Sequence, residues 1–376
     1  MKNKIFLIFF VLLLVFVPSA KLFGAENENK SGSAETFKAE VLQVLQEQEL
    51  VRENGSKIKQ QNLEVGVLEG ELKGQRIIYN GISNLDVVAG NVYQVGDKVL
   101  LSRSQDAEGN AIFYVTDFVR NNSLLWLLIL FIISVLIVGG KMGIRALISL
   151  GISFLLIMKV LVPLVFAGFD PLLVGFLISF LVLVVLIYLT EGWNRKSHLS
   201  ILAIGTSLCF TAILAYIFCD WSHLSGASQE EVTFLISASK TAINFHNLLL
   251  AAVIIGTLGV LDDIVIAQVE AVKQIREANA NLSKTKVFGM ATKIGRAHLG
   301  AVINTLFLAY VGASLPLILL FNLNQEPFVT FAQVINNEEI ATEIVRTLVG
   351  VIGLCFSMPI STFIAVQYGQ SKKNKG

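Results

Sequence analysis

The run LLLAAVIIGTLGVLDDIVIAQVEAV, residues 248–272, decides the fold class of this chain. It is apolar over most of its length and carries two adjacent aspartates beyond its midpoint. A helix needs about 20 predominantly apolar residues to cross the hydrocarbon core of a bilayer, so the run predicts a membrane-spanning helix. The chain is therefore expected to be a membrane protein, and the two aspartates are its first candidates for function.

The composition of the whole chain supports this class. Hydrophobic residues make up 54% of the 376 residues, charged residues make up 15%, and the mean hydropathy is +0.68. Soluble domains have roughly 25% charged residues. The formal net charge of +1 argues against nucleic acid as a partner. Cys209, Cys219 and Cys355 lie in or beside apolar runs, so we expect buried apolar side chains and no disulfide framework.

Apolar runs of this kind recur along the later part of the chain. They cover residues 124–138, 146–166, 172–189, 199–218, 248–272, 299–321 and 344–366. The connections between them alternate between basic and acidic, and Lys and Arg mark the cytoplasmic side of a membrane protein. With an N-terminal segment counted and retained, the pattern predicts about eight crossings with both termini in the cytoplasm.

The chain divides into four predicted regions. Residues 1–24 have Lys2 and Lys4 before a short apolar run, which is typical of a signal peptide or an N-terminal anchor helix. Residues 25–122 begin with a polar linker and continue with short alternating runs between Gly and Asn turns, which predicts an extracytoplasmic all-β domain, a small barrel or sandwich. Residues 123–367 are expected to form a seven-helix transmembrane domain, and residues 368–376 a basic cytoplasmic tail.

Motifs of common enzymes and pumps are absent from the sequence. The chain has no G-x-x-x-x-G-K-[ST], no H-E-x-x-H and no G-x-S-x-G, and its four histidines lie at the ends of apolar segments. We therefore expect no enzymatic activity, no catalytic residues, no cofactor and no metal site.

Asp262 and Asp263 are the strongest candidates for a functional role. An ionised group inside a bilayer costs several kcal/mol unless it is paired, hydrated or protonated. On a helix these neighbours point about 100° apart, whereas Asp263 and Glu270 share a face. One interpretation makes an aspartate the carrier of a proton or another cation, with Glu270 as a further candidate. The other interpretation places both aspartates at the cytoplasmic interface, where they pair with basic residues of the connections.

Lys159 is a second unusual charge, near the middle of the run 146–166. A lysine there needs a carboxylate, a water-filled cavity or a route to the interface. An ion pair between Lys159 and Asp262 or Asp263 would compensate the charges of both partners. Alternatively, the Lys159 side chain extends along the lipid face to the interface.

The two runs 248–272 and 299–321 also contain small and hydroxyl or amide residues. Small residues permit close approach of membrane helices, which makes Gly256, Gly259 and Gly300 candidate packing positions, with Gly295, Gly350 and Gly353 as further small residues in or beside apolar runs. Asn304 and Thr305 are candidates for hydrogen bonds between helices or for the lining of an ion path.

Several stretches resemble the YibE/F family of bacterial multi-span membrane proteins. They are YQVGDKVLL (93–101), GIRAL (143–147), Pro163 with Gly168 and Pro171, Gly205-Thr206, IGTLGVLDD (255–263) and GAVINTL (300–306). The resemblance covers the chain from about Phe37 onward. It implies a multi-pass protein of the bacterial cytoplasmic membrane, and it implies no particular biochemical activity.

A second likeness is to the transport helices of SecD/SecF and RND proteins, which use the proton motive force. It consists of an acidic residue in a Gly-rich span, a basic amphipathic segment over 269–293, and Arg296 followed by Asn304 and Thr305. The chain lacks the paired large periplasmic loops of those proteins.

Three classes of function remain open at this point. An ion-gradient-coupled transporter or permease would use Asp262 or Asp263 as the coupling group. A non-enzymatic assembly, export or envelope-maintenance factor would bind a partner through the outer β domain. An intramembrane aspartyl protease needs a second aspartate on a facing helix, and Asp170 and Asp220 lie in predicted outer loops. The expected partners are the lipid bilayer, a proton or another small ion, and a protein partner or a second copy of the chain.

Overall fold

The computed structural model describes residues 35–51, 55, 57–82, 91–105, 109–238, 241–320 and 329–369. The chain forms two compact units, of which the first ends at residue 137 and the second begins at residue 138. The predicted N-terminal segment 1–24 lies outside the described residues, as does nearly all of the tail 368–376. The boundaries of the four predicted regions therefore stay predictions.

The first unit contains a five-stranded antiparallel sheet. Its strands are β1 Glu35–Val51, β2 Lys57–Val67, β3 Arg76–Asn80, β4 Lys98–Gln105 and β5 Ala111–Phe118. The order is β3-β2-β1-β4-β5, and Ala39 of the long β1 lies opposite both Val67 of β2 and Val99 of β4. The two end strands, β3 and β5, also contact each other. This arrangement resembles the partly open five-stranded barrel of OB folds.

Alternation of apolar and polar residues explains why these segments form a sheet with a core. Phe37, Ala39 and Val41 of β1 are buried, because successive residues of a strand point to opposite faces. Gln61 is buried with them, and its side chain both accepts a hydrogen bond from the Tyr93 backbone N–H (2.7 Å) and donates one to the Tyr93 carbonyl (3.1 Å). The predicted β domain thus has a core of its own, with its buried amide satisfied.

The rest of the described chain is helical. The helices are α1 Asn121–Leu156, α2 Val162–Phe166, α3 Pro171–Thr190, α4 Arg195–Trp221, α5 Glu230–Ala238, α6 Phe245–Ala278, α7 Lys284–Ala313, α8 Leu315–Leu320, α9 Phe331–Ile335 and α10 Glu338–Tyr368, with a π-helical turn Ile157–Leu161 between α1 and α2. Six helical segments of the described chain are long and apolar enough to cross a membrane: Asn121–Phe166, Pro171–Thr190, Arg195–Trp221, Phe245–Ala278, Lys284–Ala313 and Glu338–Tyr368. The expected helical membrane protein with an N-terminal β domain is confirmed in outline.

The first of these segments differs from the predicted pattern of two separate runs. It is 46 residues long, which at 1.5 Å per residue is about 69 Å, against a hydrocarbon core of about 30 Å. The helix is interrupted at Gly140, where φ is 51° and ψ is −130°. Glycine adopts this positive φ without a steric penalty. The predicted runs 124–138 and 146–166 lie on either side of this break, and the number of crossings stays a prediction.

Helix α6 is the central helix of the second unit. It packs against α3, α4, α7 and α10, and its buried residues recur at helical spacing, as in Leu250, Ile254, Leu261 and Val265. A Cβ added to Gly175 of α3 would lie 2.6 Å from the Ala251 Cβ, and one added to Gly350 of α10 would lie 3.1 Å from the Thr257 Cγ2. Small residues therefore let two neighbouring helices approach α6 closely.

Candidate functional site

Helix α6 carries both candidate aspartates, and local hydrogen bonds define its start. The Asn244 side chain caps the helix by accepting a hydrogen bond from the Asn247 backbone N–H at 3.0 Å. Further along, Asp262 is 9% exposed, whereas Asp263 is exposed. Neighbouring residues on a helix point about 100° apart. The structure thus separates the two candidates, because Asp262 faces the packed interior and Asp263 faces the outside of the chain.

The Asp262 carboxyl group is buried next to apolar side chains. Its neighbour Leu261 is 1% exposed, and Val265, which lies on the following turn, is fully buried. The Oδ1 atom of Asp262 is buried and has no hydrogen-bond partner in the part of the chain that the structure describes. An ionised carboxylate in these surroundings is costly unless a partner compensates its charge. The group is therefore suited to taking up and releasing a proton or a small cation.

Lys159 lies in the π-helical turn Ile157–Leu161. This turn packs against α3, and Lys159 is exposed. Single π-turns inside helices are frequent at functional sites. The ion pairs found between described residues do not join Lys159 to Asp262 or Asp263. The pairing of this lysine with the aspartates stays a prediction.

Glu270 of α6 pairs with Lys196 of α4, and Lys196 also pairs with Glu191 at the end of α3. We name Glu191, Lys196 and Glu270 the ionic triad. The Lys196 Nζ lies 2.6 Å from Glu191 Oε2 and 2.9 Å from Glu270 Oε2. Gln274 donates to the other Glu270 oxygen at 2.7 Å, and the Lys273 Nζ lies 3.5 Å from that oxygen. The side chains of Lys196 and Glu191 are only 15% and 17% exposed. Their attraction is therefore screened less by water than that of a surface pair.

A cavity of about 460 Å³ lies beside the ionic triad, and we name it the basic-end cavity. Its charged lining residues are Glu191, Arg195, Lys196, Glu270 and Lys273. The Arg195 guanidinium donates to the Tyr368 carbonyl at the end of α10, and Lys284 donates to Gln367 Oε1 at 2.6 Å. Cations thus connect the ends of α4, α7 and α10 around this cavity.

A buried contact between α6 and α10 was missed by sequence reasoning. Gln268 is 1% exposed, and its Oε1 accepts a hydrogen bond from the Thr362 hydroxyl at 2.9 Å. Gly295 of α7 makes room for it, because an added Cβ there would overlap the Gln268 amide and lie 2.9 Å from the Met358 Cγ. A glutamine within an apolar run could have indicated a buried hydrogen bond. Its partner could not be identified from the sequence, because it lies 94 residues away.

Asn304 and Thr305 lie on the exposed side of α7. The Thr305 hydroxyl donates to the carbonyl of Ala301 in its own helix at 3.0 Å, so this hydroxyl is satisfied locally. Neither residue is brought against Asp262 in the interior of the bundle. Their predicted roles in hydrogen bonding between helices or in an ion path stay predictions.

The three predicted packing glycines also lie on open surfaces. A Cβ added to Gly259 or Gly300 would meet no described atom within 4 Å, and one added to Gly256 would meet only the Tyr310 hydroxyl, at 3.8 Å. A packing role for Gly259 and Gly300 therefore requires a partner outside the described chain, and the packing role of all three glycines stays a prediction.

Ion pairs cover the outer face of the β domain. They join Lys57 to Glu49, Lys59 to Glu47, Arg76 to Glu64 and Arg103 to Glu35 across neighbouring strands. Hydrogen bonds from Lys59 and then from Gln61 hold the pKa of Glu47 below its usual value. Opposite charges thus face each other across neighbouring strands, which is favourable for cross-strand pairs.

No curated protein and no solved structure matches this chain. A family described as YibE/F-like protein matches residues 127–370, which is more than half of the chain. The matched stretch contains the aspartates, the ionic triad and the basic-end cavity, whereas the β domain lies before it. The likeness to SecD/SecF and RND helices stays a prediction. From the matched family and the apolar helices, we conclude that the chain belongs to the YibE/F-like family of multi-pass membrane proteins.

Proposed function

We propose that this protein is an ion-gradient-coupled transporter or permease of the bacterial cytoplasmic membrane, with Asp262 as its coupling carboxylate. One observation carries the proposal. Asp262 is 9% exposed on the central helix of the bundle, and its Oδ1 has no hydrogen-bond partner among the described residues.

A buried carboxylate with one unpartnered oxygen changes its interaction with the bundle when it binds or releases an ion. The neutral state is compatible with apolar neighbours, whereas the charged state favours contact with water. Two packing arrangements of the surrounding helices would then be favoured by the two charge states. This coupling between ion occupancy and helix packing is what a transporter driven by an ion gradient requires.

The other candidate residues take supporting roles in this proposal. Lys159 lies in the π-helical turn that packs against α3, and α3 packs against α6. Glu270 belongs to the ionic triad, which connects the end of α3 with α4 and α6. Movement of α6 relative to α3 and α4 would have to break these ion pairs.

The proposal also includes a topology. The end of α6 and the start of α7 carry Lys273, Arg276, Lys284 and Lys286, so the positive-inside rule assigns this end of the two helices to the cytoplasm. With the N-terminal segment and two crossings on either side of Gly140, the chain has eight crossings and both termini in the cytoplasm. The β domain then lies outside the cell.

Ion flux into vesicles tests the proposed function. Purified protein is reconstituted with a pH-sensitive dye inside the vesicles, and a pH or Na⁺ gradient is imposed. We expect the wild type to dissipate one of the gradients faster than protein-free vesicles do, and Asp262→Asn to lower the rate to that of protein-free vesicles. Asp263→Asn is the matched control, because it removes the same charge from an exposed neighbour, and it is expected to keep most of the flux.

The opposite result in these vesicles removes the proposal. If Asp262→Asn folds and conducts like the wild type, the buried carboxyl is not the coupling group. If no gradient is dissipated faster with the wild type than without protein, coupled ion movement is not the activity of this chain alone.

A second candidate function is an assembly, export or envelope-maintenance factor that binds a partner through the β domain. It is favoured by exposed apolar side chains on that domain, since Leu45 is 45%, Val51 is 62% and Ile78 is 61% exposed. Burying such side chains against a partner would remove apolar surface from water, which favours association. In cells that lack the gene, this function predicts that Asp262→Asn restores the wild-type phenotype, whereas Leu45→Asp with Ile78→Asp does not.

A further inference from the structure

The basic-end cavity combines charged and apolar walls at one end of the helical unit. Its volume of about 460 Å³ is within the range of small-ligand sites. The charged walls are described above, and the apolar walls include Leu199, Val269 and Val272. Such a combination suits a molecule with a charged head and an apolar body.

The charges of the lining favour an anion. Arg195, Lys196 and Lys273 face two carboxylates, Glu191 and Glu270, so that three positive groups stand against two negative ones. Both carboxylates share the Lys196 ammonium, at 2.6 and 2.9 Å. Helix α4 also begins at this cavity, and the N-terminus of a long helix contributes roughly half a positive charge.

Two of the three cations, Arg195 and Lys273, have side chains that suit a phosphate group in addition to their contacts with the Tyr368 carbonyl and with Glu270. The Arg195 guanidinium presents a planar fork of N–H donors, which matches phosphate oxygens. The Lys273 side chain is 48% exposed, so its ammonium is accessible. Arg276, Lys284 and Lys286 follow in the sequence and add positive charge at the same end of α6 and α7.

Aromatic residues next to the cavity indicate a bilayer interface. Trp193 precedes the lining residue Asn194 and stacks on Tyr188 with ring centroids 4.2 Å apart. Trp and Tyr are enriched where a membrane protein meets the headgroup region, and basic pockets between spans on the cytoplasmic side bind anionic headgroups.

We propose that the basic-end cavity binds the phosphate group of an anionic phospholipid, held by Arg195 and Lys273, with the upper part of the acyl chains against Leu199 and Val269. This site is separate from Asp262, and the proposal does not depend on ion transport. The bound lipid would connect α4 with α6 at the end where the ionic triad already joins them.

Fluorescence quenching of Trp193 tests the proposal. The full-length protein, with Trp126→Phe and Trp221→Phe, is placed in phosphatidylcholine bilayers that contain a small fraction of phosphatidylglycerol. The bromine quencher is carried on the acyl chains of either lipid. We expect brominated phosphatidylglycerol to quench Trp193 about tenfold more strongly per mole than brominated phosphatidylcholine, because two cations contact its phosphate. If the two brominated lipids quench Trp193 equally in this protein, the proposal is wrong, and no variant of the cavity is needed to show it.

Charge-matched variants distinguish binding in the cavity from attraction by the general positive charge at this end of the helices. Arg195→Gln with Lys273→Gln is expected to remove the preference for phosphatidylglycerol. Lys293→Gln with Arg296→Gln removes the same charge from α7 outside the cavity lining and is expected to keep it. If both double variants lose the preference for phosphatidylglycerol equally, the preference comes from the general positive charge of this end, and the cavity is not a specific lipid site.

Inorganic phosphate distinguishes the two sources of a phosphate group. We expect millimolar phosphate at constant ionic strength to leave the preference for phosphatidylglycerol unchanged, because a free anion lacks the contacts with the apolar wall. If phosphate abolishes the preference, the cavity binds a soluble anion and the assignment to lipid is wrong.

Discussion

The substitution Gly353→Leu is expected to lower the free energy of unfolding by about 3 kcal/mol. Gly353 lies on α10 and faces Thr211 of α4, which is fully buried. A Cβ added to Gly353 would overlap the Thr211 hydroxyl and lie 3.0 Å from its Cγ2 and 3.1 Å from its Cβ. A rotamer change of Thr211 cannot relieve the overlap fully, because the Thr211 Cβ keeps its position in every rotamer. The helices would have to separate, and their packing would be lost with them.

Thermal unfolding of the purified protein in detergent measures this effect. We expect the midpoint for Gly353→Leu to fall by about 10 °C. Gly300→Leu is the matched control, since a Cβ at Gly300 of α7 meets no described atom within 4 Å. Both substitutions gain about 1 kcal/mol of helix propensity, so the difference between them isolates the close approach of α4 and α10. A similar midpoint for both variants would show that this approach is not required.

The same control bears on a prediction made from the sequence. The sequence marked Gly256, Gly259 and Gly300 as packing positions and Gly295, Gly350 and Gly353 as further small residues. Close contacts in the described chain involve the second group, together with Gly175. A small residue in a span has no mark that tells which helix it faces. If Gly300 contacts a second copy of the chain, size-exclusion chromatography of Gly300→Leu will show a smaller assembly.

The class of the fold was predictable because hydrophobicity is a local property. Each predicted apolar run overlaps one of the six long helical segments, although two runs share the first segment, and alternation along residues 37–41 identified a buried face of the β domain. The sequence predicted a connection between the runs 124–138 and 146–166, and the break at Gly140 lies within it, but a kink at one residue of a long helical segment was not predicted. The strand order of the barrel was not predicted either, since it depends on pairings between distant segments.

Single residues of the candidate site could be predicted from the sequence, but the contacts between them could not. The sequence indicated that Asp262 and Asp263 point in different directions, and the structure shows which of them is buried. Glu270 was selected for the face it shares with Asp263, yet its partner is Lys196, whose position 74 residues earlier has no relation to helical spacing. Contacts between helices that are far apart in the sequence require the packing of the whole bundle.

The substitution Lys196→Met is expected to lower the free energy of unfolding by about 2–3 kcal/mol, somewhat less than removal of one partner from a fully buried ion pair. The ammonium lies 2.6 Å from Glu191 and 2.9 Å from Glu270, so its loss leaves two carboxylates near one point with 17% and 33% of their side chains exposed. Gln274 and Lys273 still contact Glu270, which limits the loss. The midpoint of thermal unfolding should fall by about 5–10 °C.

Neutral variants of the ionic triad show whether the stability lost in Lys196→Met comes from the lost charge or from the changed shape of the side chain. Glu191→Gln alone should have a small effect, because Lys196 keeps its pair with Glu270. The triple variant Glu191→Gln, Lys196→Met, Glu270→Gln should recover most of the stability lost in Lys196→Met, since it contains no uncompensated carboxylate in the triad. If the triple variant is as unstable as Lys196→Met, the lysine acts through the packing of its stem, and the triad does not act as an electrostatic connection between α3, α4 and α6.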